Sequence, residues 1–334
     1  MRVASSRRGG HGGAHVHLAV ALTLACAAML LPSLAVAAAT VPVDMAAPYE
    51  YLEWGNPQPP TSVMAATGIE DLTLAFILSH GVCDPEWEGK RPLAGGSNEA
   101  AIKAIRAAGG EVVVSFGGWS GRKLGTSCKT VGALAGAYQE VIDAYSLKAI
   151  DIDIEHGEFT NKKTRKRVVE ALAVTQQANP GLEISITFGS EEDGPEATGR
   201  SLIADAAAIG FEPTAWTIMP FDFGAPRTDM GHASIRALEG LAGDLVSAYH
   251  VSAAAAYEHA GISSMNGDTD EASEMVSVED FQTMLTFAEQ RHLARVTFWS
   301  VNRDRECGGG REEECSGIVQ QPYAFTDLLA GYDG

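Results

Sequence analysis

Several kinds of chemistry are missing from this 334-residue chain. It has five cysteines and nine histidines, but no Cys-x-x-Cys pair, no His-Glu-x-x-His and no histidine cluster, so a zinc centre finds no ligand pattern. No Gly-x-Gly-x-x-Gly follows the first strand-like segment, which leaves a dinucleotide-binding fold without support. Positive charge is scarce. Lys and Arg number 24 against 43 Asp and Glu, a formal net charge of −19. Such a surface repels nucleic acid and anionic lipid, and a neutral polymer is the easier partner. The local exception, Lys162-Lys163-Thr164-Arg165-Lys166-Arg167, opens a predicted helix and reads as a solvated face. No Ser/Pro-rich linker, repeat or low-complexity module interrupts residues 40–334, a length that one large domain accommodates.

The N-terminus has a different composition. Arg2, Arg7 and Arg8 precede an uncharged run of Ala, Leu and Val from Leu18 to Ala39, with small residues at Ala35-Val36-Ala37 and Ala37-Ala38-Ala39. A positive start, an apolar middle and an A-x-A finish predict a secretory signal peptide over 1–39 and a secreted protein. A membrane anchor is the rival reading, but Pro32 and the Ala-rich finish favour cleavage. Loss of the three arginines, with no acidic residue lost, would take the charge from −19 to −22. Cys26 would leave too, and the even set Cys83, Cys128, Cys307 and Cys315 suggests two disulfides in an oxidising compartment. Three pairings are possible in principle. Cys307 and Cys315 flank a short loop containing Gly308-Gly309-Gly310 and are expected to pair, leaving Cys83 with Cys128.

Beyond residue 40, short β-rich runs alternate with helical ones. Strands are predicted at Tyr49–Trp54, Asp71–Leu78, Glu111–Phe116, Ala149–Glu155, Glu183–Phe188, Ala215–Met219, weakly at Gly261–Met265, and at Arg295–Ser300. Amphipathic stretches lie between them, at Asn98–Ala108, Val131–Tyr145, Thr164–Ala178, Ser201–Ile209, Ser234–Tyr249 and Val278–Arg291. Strand–helix alternation implies parallel strands with helical crossovers. Eight units predict an α/β chain folded as a single (β/α)8 TIM barrel with disulfide-stapled loops.

Ile150-Asp151-Ile152-Asp153-Ile154-Glu155 alternates with period two, one face Ile and the other acidic. In isolation this is a half-exposed strand. In a barrel the Ile face meets the helices and the acids point inward. Carboxylates about 7 Å apart along one strand raise one another's pKa and favour a shared proton. That supplies a carboxylic acid still protonated near neutral pH, which glycosidic cleavage needs. Glu155 falls at the strand's C-terminal end, where barrel enzymes keep their active sites.

Asp151-Ile-Asp153-Ile-Glu155 resembles the D-x-x-D-x-D-x-E signature of glycoside hydrolase family 18, the chitinases and their relatives. Ser115-Phe116-Gly117-Gly118 is similar to that family's S-x-G-G, and Met219-Pro220-Phe221-Asp222 to its M-x-Y-D. Phe298-Trp299-Ser300 with Asn302-Arg303-Asp304 is similar to its last-strand tryptophan segment. The resemblance implies a retaining, substrate-assisted hydrolase of β-1,4-linked N-acetylglucosamine in chitin or its oligomers, with no metal or organic cofactor. Glu155 would be acid and base, Asp153 would hold the acetamido N–H, and Asp151 would hold Asp153 and share its proton. Asp222 would help position the acetamido group and Trp299 would form the sugar's floor, with Ser115, Gly117, Met219 and Phe221 completing the binding surface. Blander alternatives are a turn role for Gly117 and Gly118, core packing for Trp299 and Met219, and loop packing for Trp54 and Trp119.

Two departures bear on activity. The family's first acidic position falls on Lys148, which would lower nearby carboxyl pKa values if it faced them. Phe221 stands where the family has Tyr, and Phe223 supplies no phenol either; Tyr257 is a candidate replacement. These departures support a second reading, a weak or silent carbohydrate-binding barrel. A monomer is expected, with no partner beyond the N-acetylglucosamine polymer.

Overall fold

The computed structural model describes residues 45–224, 229–271, 273–307 and 312–332, so the segment 1–39 read as a signal peptide lies outside them. Eight parallel strands form the barrel: β1 Tyr49–Tyr51, β2 Leu72–Ser79, β3 Val112–Gly117, β4 Ala149–Asp153, β5 Glu183–Gly189, β6 Ala215–Met219, β7 Ala260–Met265 and β8 Arg295–Trp299. They neighbour one another in chain order, each pair parallel. At the β1–β8 seam side chains make the join. Asn302 accepts from Tyr51 N at 2.9 Å and donates to the Tyr51 and Trp54 carbonyls, both at 2.8 Å. The first strand stops at Tyr51 and does not run on to Trp54 as predicted.

Period-two alternation sorts the residues as expected. Ile150, Ile152 and Ile154 are buried in the layer between barrel and helices, with Leu134, Tyr138, Val141 and Val168. Facing inward are small polar residues at full burial, among them Thr73, Ser115, Ser185, Thr187, Thr217 and Thr297. Each finds a partner: Ser185 and Thr217 hydroxyls meet at 2.9 Å, while Thr73 and Thr297 donate to the Ala47 carbonyl at 2.8 and 2.7 Å. Ala47 lies before β1, so these bonds plug the N-terminal end of the barrel, beside a small apolar cluster of Met45, Ala47, Val113 and Ala149.

Six long helices, Ser97–Ala107, Val131–Tyr145, Lys162–Ala178, Ala197–Ala207, Met230–Tyr249 and Val278–Arg291, occupy the predicted stretches, several starting up to four residues early. Their caps explain the starts. Asn161 accepts from Lys163 N and Thr164 N, Asp229 from His232 N, and Ser277 with Asp280 forms a capping box. The basic run is only half a solvated face: Lys162, Lys163 and Lys166 are exposed, but Arg165 is buried on the Phe159 carbonyl and Arg167 reaches the Gly125 and Cys128 carbonyls. Short elements carried no sequence signal, notably His156–Thr160, Ala253–Tyr257 and a hairpin of Gly267–Asp268 with Met275–Val276. Both disulfides form as expected. Cys83–Cys128 and Cys307–Cys315 have Cα separations of 4.6 and 5.1 Å and tie loops at the C-terminal ends of β2, β3 and β8.

Candidate active site

Asp151 is the hub of the barrel interior. One oxygen accepts from Tyr49 Oη at 2.7 Å and Ser115 Oγ at 2.6 Å, the other from Thr187 Oγ1 at 2.7 Å and from the Arg295 guanidinium. Asp151 and Arg295 are both fully buried. Gly261 makes room for that pair, since a Cβ there would meet Thr217 Oγ1 at 2.7 Å and the Arg295 Cβ at 3.0 Å. Four donors fill the acceptor sites of one carboxylate. The expectation that Asp151 holds Asp153 and shares its proton is corrected by these bonds: its oxygens are committed to Tyr49, Ser115, Thr187 and Arg295.

Asp153, one pleat further along, contrasts with it. Asp153 is buried and lines the groove, yet its Oδ1 has no hydrogen-bond partner. Burial first, then the charges of Glu155 and Asp151, push its carboxyl well above the usual range, against Lys123 and Arg295. Glu155 is no longer in the strand. With φ −132° and ψ 170° it caps the helix His156–Thr160, which turns its half-buried side chain into the groove. Burial, opposed by Lys123 and reinforced by Asp222 and Asp270, raises Glu155 to about 7. Asp222, after β6, has φ 58°. The buried Glu274 of the hairpin holds it there, accepting from Asp222 N at 2.6 Å and Phe223 N at 3.0 Å. Burial, opposed by the Thr269 hydroxyl and reinforced by Asp270 and Glu274, raises Asp222 to about 6.

The glycines after β3 are required by close approach. At Gly117 (φ 112°) a Cβ would lie 2.1 Å from the Asp153 carbonyl, and at Gly118 (φ 77°) 2.6 Å from the Phe76 ring. Gly118 N donates to the Asp153 carbonyl at 2.9 Å, so this turn packs directly on the acidic strand.

A cavity of about 1060 Å³ opens at the C-terminal end of the barrel. Asp153, Glu155, Met219, Phe221, Asp222 and Trp299 all border it. Ser115 and Gly117, expected on its binding surface, do not line it, because Ser115 is buried on Asp151 and Gly117 packs on the Asp153 carbonyl. Trp299, at the end of β8, stacks on Phe76 at 5.5 Å and 12°, with Tyr49 at 5.9 Å and Tyr51 at 6.4 Å. Trp54 (44% exposed) and Trp119 (70%) also border the cavity, Trp119 against the His156 ring at 4.0 Å. Asn302, Arg303 and Asp304 mainly hold the fold: Arg303 reaches the Asn266 and Asp268 carbonyls, and Asp304 anchors Gln320, Phe325 and Thr326.

Two expectations are corrected. Lys148 does not face the acids; it sits at the strand start, 3.3 Å from Glu111, on the opposite parity. Tyr257 packs on Phe287 beneath Arg291, away from the cavity, whose only phenols among the described residues are Tyr49 and Tyr51. Sequence reasoning missed Lys123, Arg295, Asp270 and Glu274. Arg295 was findable, because it shares a strand face with Trp299; the other three lie in loops without periodicity.

No family model matches the chain. A probable bifunctional chitinase/lysozyme of Escherichia coli is 28% identical over 283 residues, 79% of this chain and 32% of that one. The chain thus spans about a third of that curated relative. The solved catalytic domain of a hyperthermophilic chitinase from Pyrococcus furiosus superposes with a TM-score of 0.78 at 28% identity, covering 86% of this chain and 93% of that one. A GH18 chitinase from Pseudoalteromonas aurantia shares the fold at a TM-score of 0.56 and 14% identity, over 76% and 93% of the two chains. The chain is thus similar in sequence to a chitinase/lysozyme and to a chitinase catalytic domain, and it shares their barrel fold.

Proposed function

We propose that this protein is a chitinase-type hydrolase that cleaves β-1,4 linkages between N-acetylglucosamine units of chitin or chitooligosaccharides, with retention of configuration. The observation that carries the reading is the pairing of Asp153, buried with an unpartnered oxygen, and Glu155, an acid raised to about 7, in one aromatic-floored groove. Glu155 gives its proton to the glycosidic oxygen as the substrate's acetamido oxygen bonds to the anomeric carbon and the sugar alcohol departs. Asp153 takes the acetamido N–H, its free oxygen gaining the partner it lacks, and stabilises the cationic oxazolinium. Glu155, now a carboxylate, then takes a proton from water as that water's oxygen bonds to the anomeric carbon and the bond from that carbon to the acetamido oxygen breaks, restoring the acetamide. Asp222 helps position the acetamido group, and Trp299 supports the pyranose face. Secretion is part of this reading, supported by the pattern of residues 1–39 and two disulfides.

Phe221 favours a second reading. With Tyr49 donating to Asp151, no phenol from the segment after β6 donates to the acetamido oxygen. Loss of one such donor costs about 3 kcal/mol in the transition state, which would leave a weak enzyme or a carbohydrate-binding barrel. Proton NMR of soluble N-acetylglucosamine oligomers with the wild-type protein separates the two. Release of product first as the β-anomer is expected; tight binding without turnover would replace the hydrolase with the binding barrel.

A further inference from the structure

We propose that Lys123 is a positioning residue of this site, a buried cation that clamps the turn after β3 and keeps Glu155 able to cycle between acid and base. The proposal rests on the hydrolase reading above. Lys123 is 4% exposed. Its ammonium donates to the Gly117 carbonyl at 3.1 Å, the Ser120 carbonyl at 2.6 Å and the Gly118 carbonyl. Those acceptors use all three N–H groups. Each is a neutral carbonyl, so no carboxylate in direct contact cancels the charge, and its field reaches Asp153, Glu155 and Glu158.

A buried ammonium costs several kcal/mol in desolvation, and three carbonyls alone do not require one. The acidic surroundings do. Glu155 faces Asp153 from the end of β4, Asp222 from the segment after β6 and Asp270 from the hairpin after β7, all negative when ionised. Lys123, from the loop after β3, is the positive group acting on it. Glu158, one turn beyond Glu155, is buried and accepts from Gly125 N at 2.6 Å. Without a cation the carboxyls would hold their protons too tightly for Glu155 to become the base of the second step. The same ammonium fixes the Gly117–Ser120 turn that packs on the Asp153 carbonyl and carries Trp119.

Lys123→Met, Lys123→Gln and Lys123→Arg separate the charge from the clamp. Carboxyl ¹³C NMR of Glu-labelled protein, with the Glu155 signal identified by Glu155→Gln, reads its titration without turnover. The pH profile of kcat/KM on soluble oligomers reads it with turnover. The expected result is an upward shift of the Glu155 midpoint by about one unit in the Met and Gln variants, the size an opposite charge nearby produces. The basic limb of the profile should follow, and Lys123→Arg should return both towards wild type. Lys123→Gln retains a donor for the turn should the Met variant not fold. An unchanged midpoint in a folded neutral variant, even with reduced kcat, would overturn the assignment and leave only a structural clamp. A wild type that never hydrolyses oligomers would sink the hydrolase reading instead, while the NMR midpoint still tests the charge of Lys123.

Discussion

Asp151 and Asp153 stand two residues apart on one face of β4, and their surroundings differ almost completely. Asp151 accepts four hydrogen bonds, one from a buried guanidinium, and is sealed among side chains at the middle of the barrel. Asp153 leaves an oxygen without a partner and lines an open groove. A buried carboxylate with a full set of donors is a structural element; one left under-satisfied at a cavity is poised to take a ligand. The depth at which the barrel's polar plug ends, between these two residues, separates the part that holds the fold from the part that meets substrate.

The sharpest way to break the comparison is at its buried half. Asp151→Asn strands the Arg295 guanidinium without a counter-charge, and we expect a loss of about 3–5 kcal/mol, read as a fall of the thermal midpoint by circular dichroism. An unchanged midpoint would mean that Asp151 is not the structural member. Gly117→Ala comes next. Its Cβ would strike the Asp153 carbonyl, so kcat on oligomers should drop at least about tenfold with a smaller stability loss of about 1–3 kcal/mol.

The raised acids predict that activity and fold stability both decline as pH rises, through different carboxyls. With Glu155 at about 7, kcat/KM should decline above that pH as the acid ionises. Glu50, fully buried with neither oxygen partnered, is raised by burial from 4.5 to about 8. A raised carboxyl stabilises the fold fully below the unfolded value of 4.5, and that contribution is lost as pH rises through about 8. Glu50→Gln should therefore melt roughly 5 °C higher than wild type at pH 9 and no higher at pH 4. The smallest effect expected is at the groove's exposed rim. Trp119→Ala should raise KM about threefold to tenfold with little change in kcat, as lost uniform binding does.

The frame of this contrast was legible in the sequence, but not the contrast itself, since both acids read as partners sharing a proton. Alternation of Ile and acid sorted which side chains enter the barrel, and strand-end motifs at Met219 and Trp299 converge on one cavity because parallel strands bring their C-terminal ends together, while Gly117 packs behind it on the Asp153 carbonyl. Parity would also have found Arg295, on the face of Trp299. It would likewise have excluded Lys148, an even position against the odd-numbered acids. Lys123, Asp270 and Glu274 lie in loops, where position depends on contacts distant in sequence, and no periodicity reports them. Glu274 holding the backbone of Asp222 and Phe223 spans some fifty residues. Tyr257 had the right chemistry and the wrong place, which only tertiary packing decides.

The most direct test of the account is Glu155→Gln on soluble N-acetylglucosamine oligomers, with turnover, binding and thermal midpoint measured on one preparation. The account predicts a fall in kcat of about 10²–10⁴-fold, with oligomer binding retained and a midpoint at or above that of wild type. A variant that still hydrolyses at a rate near the wild type's would contradict it, because the proton would then come from another group.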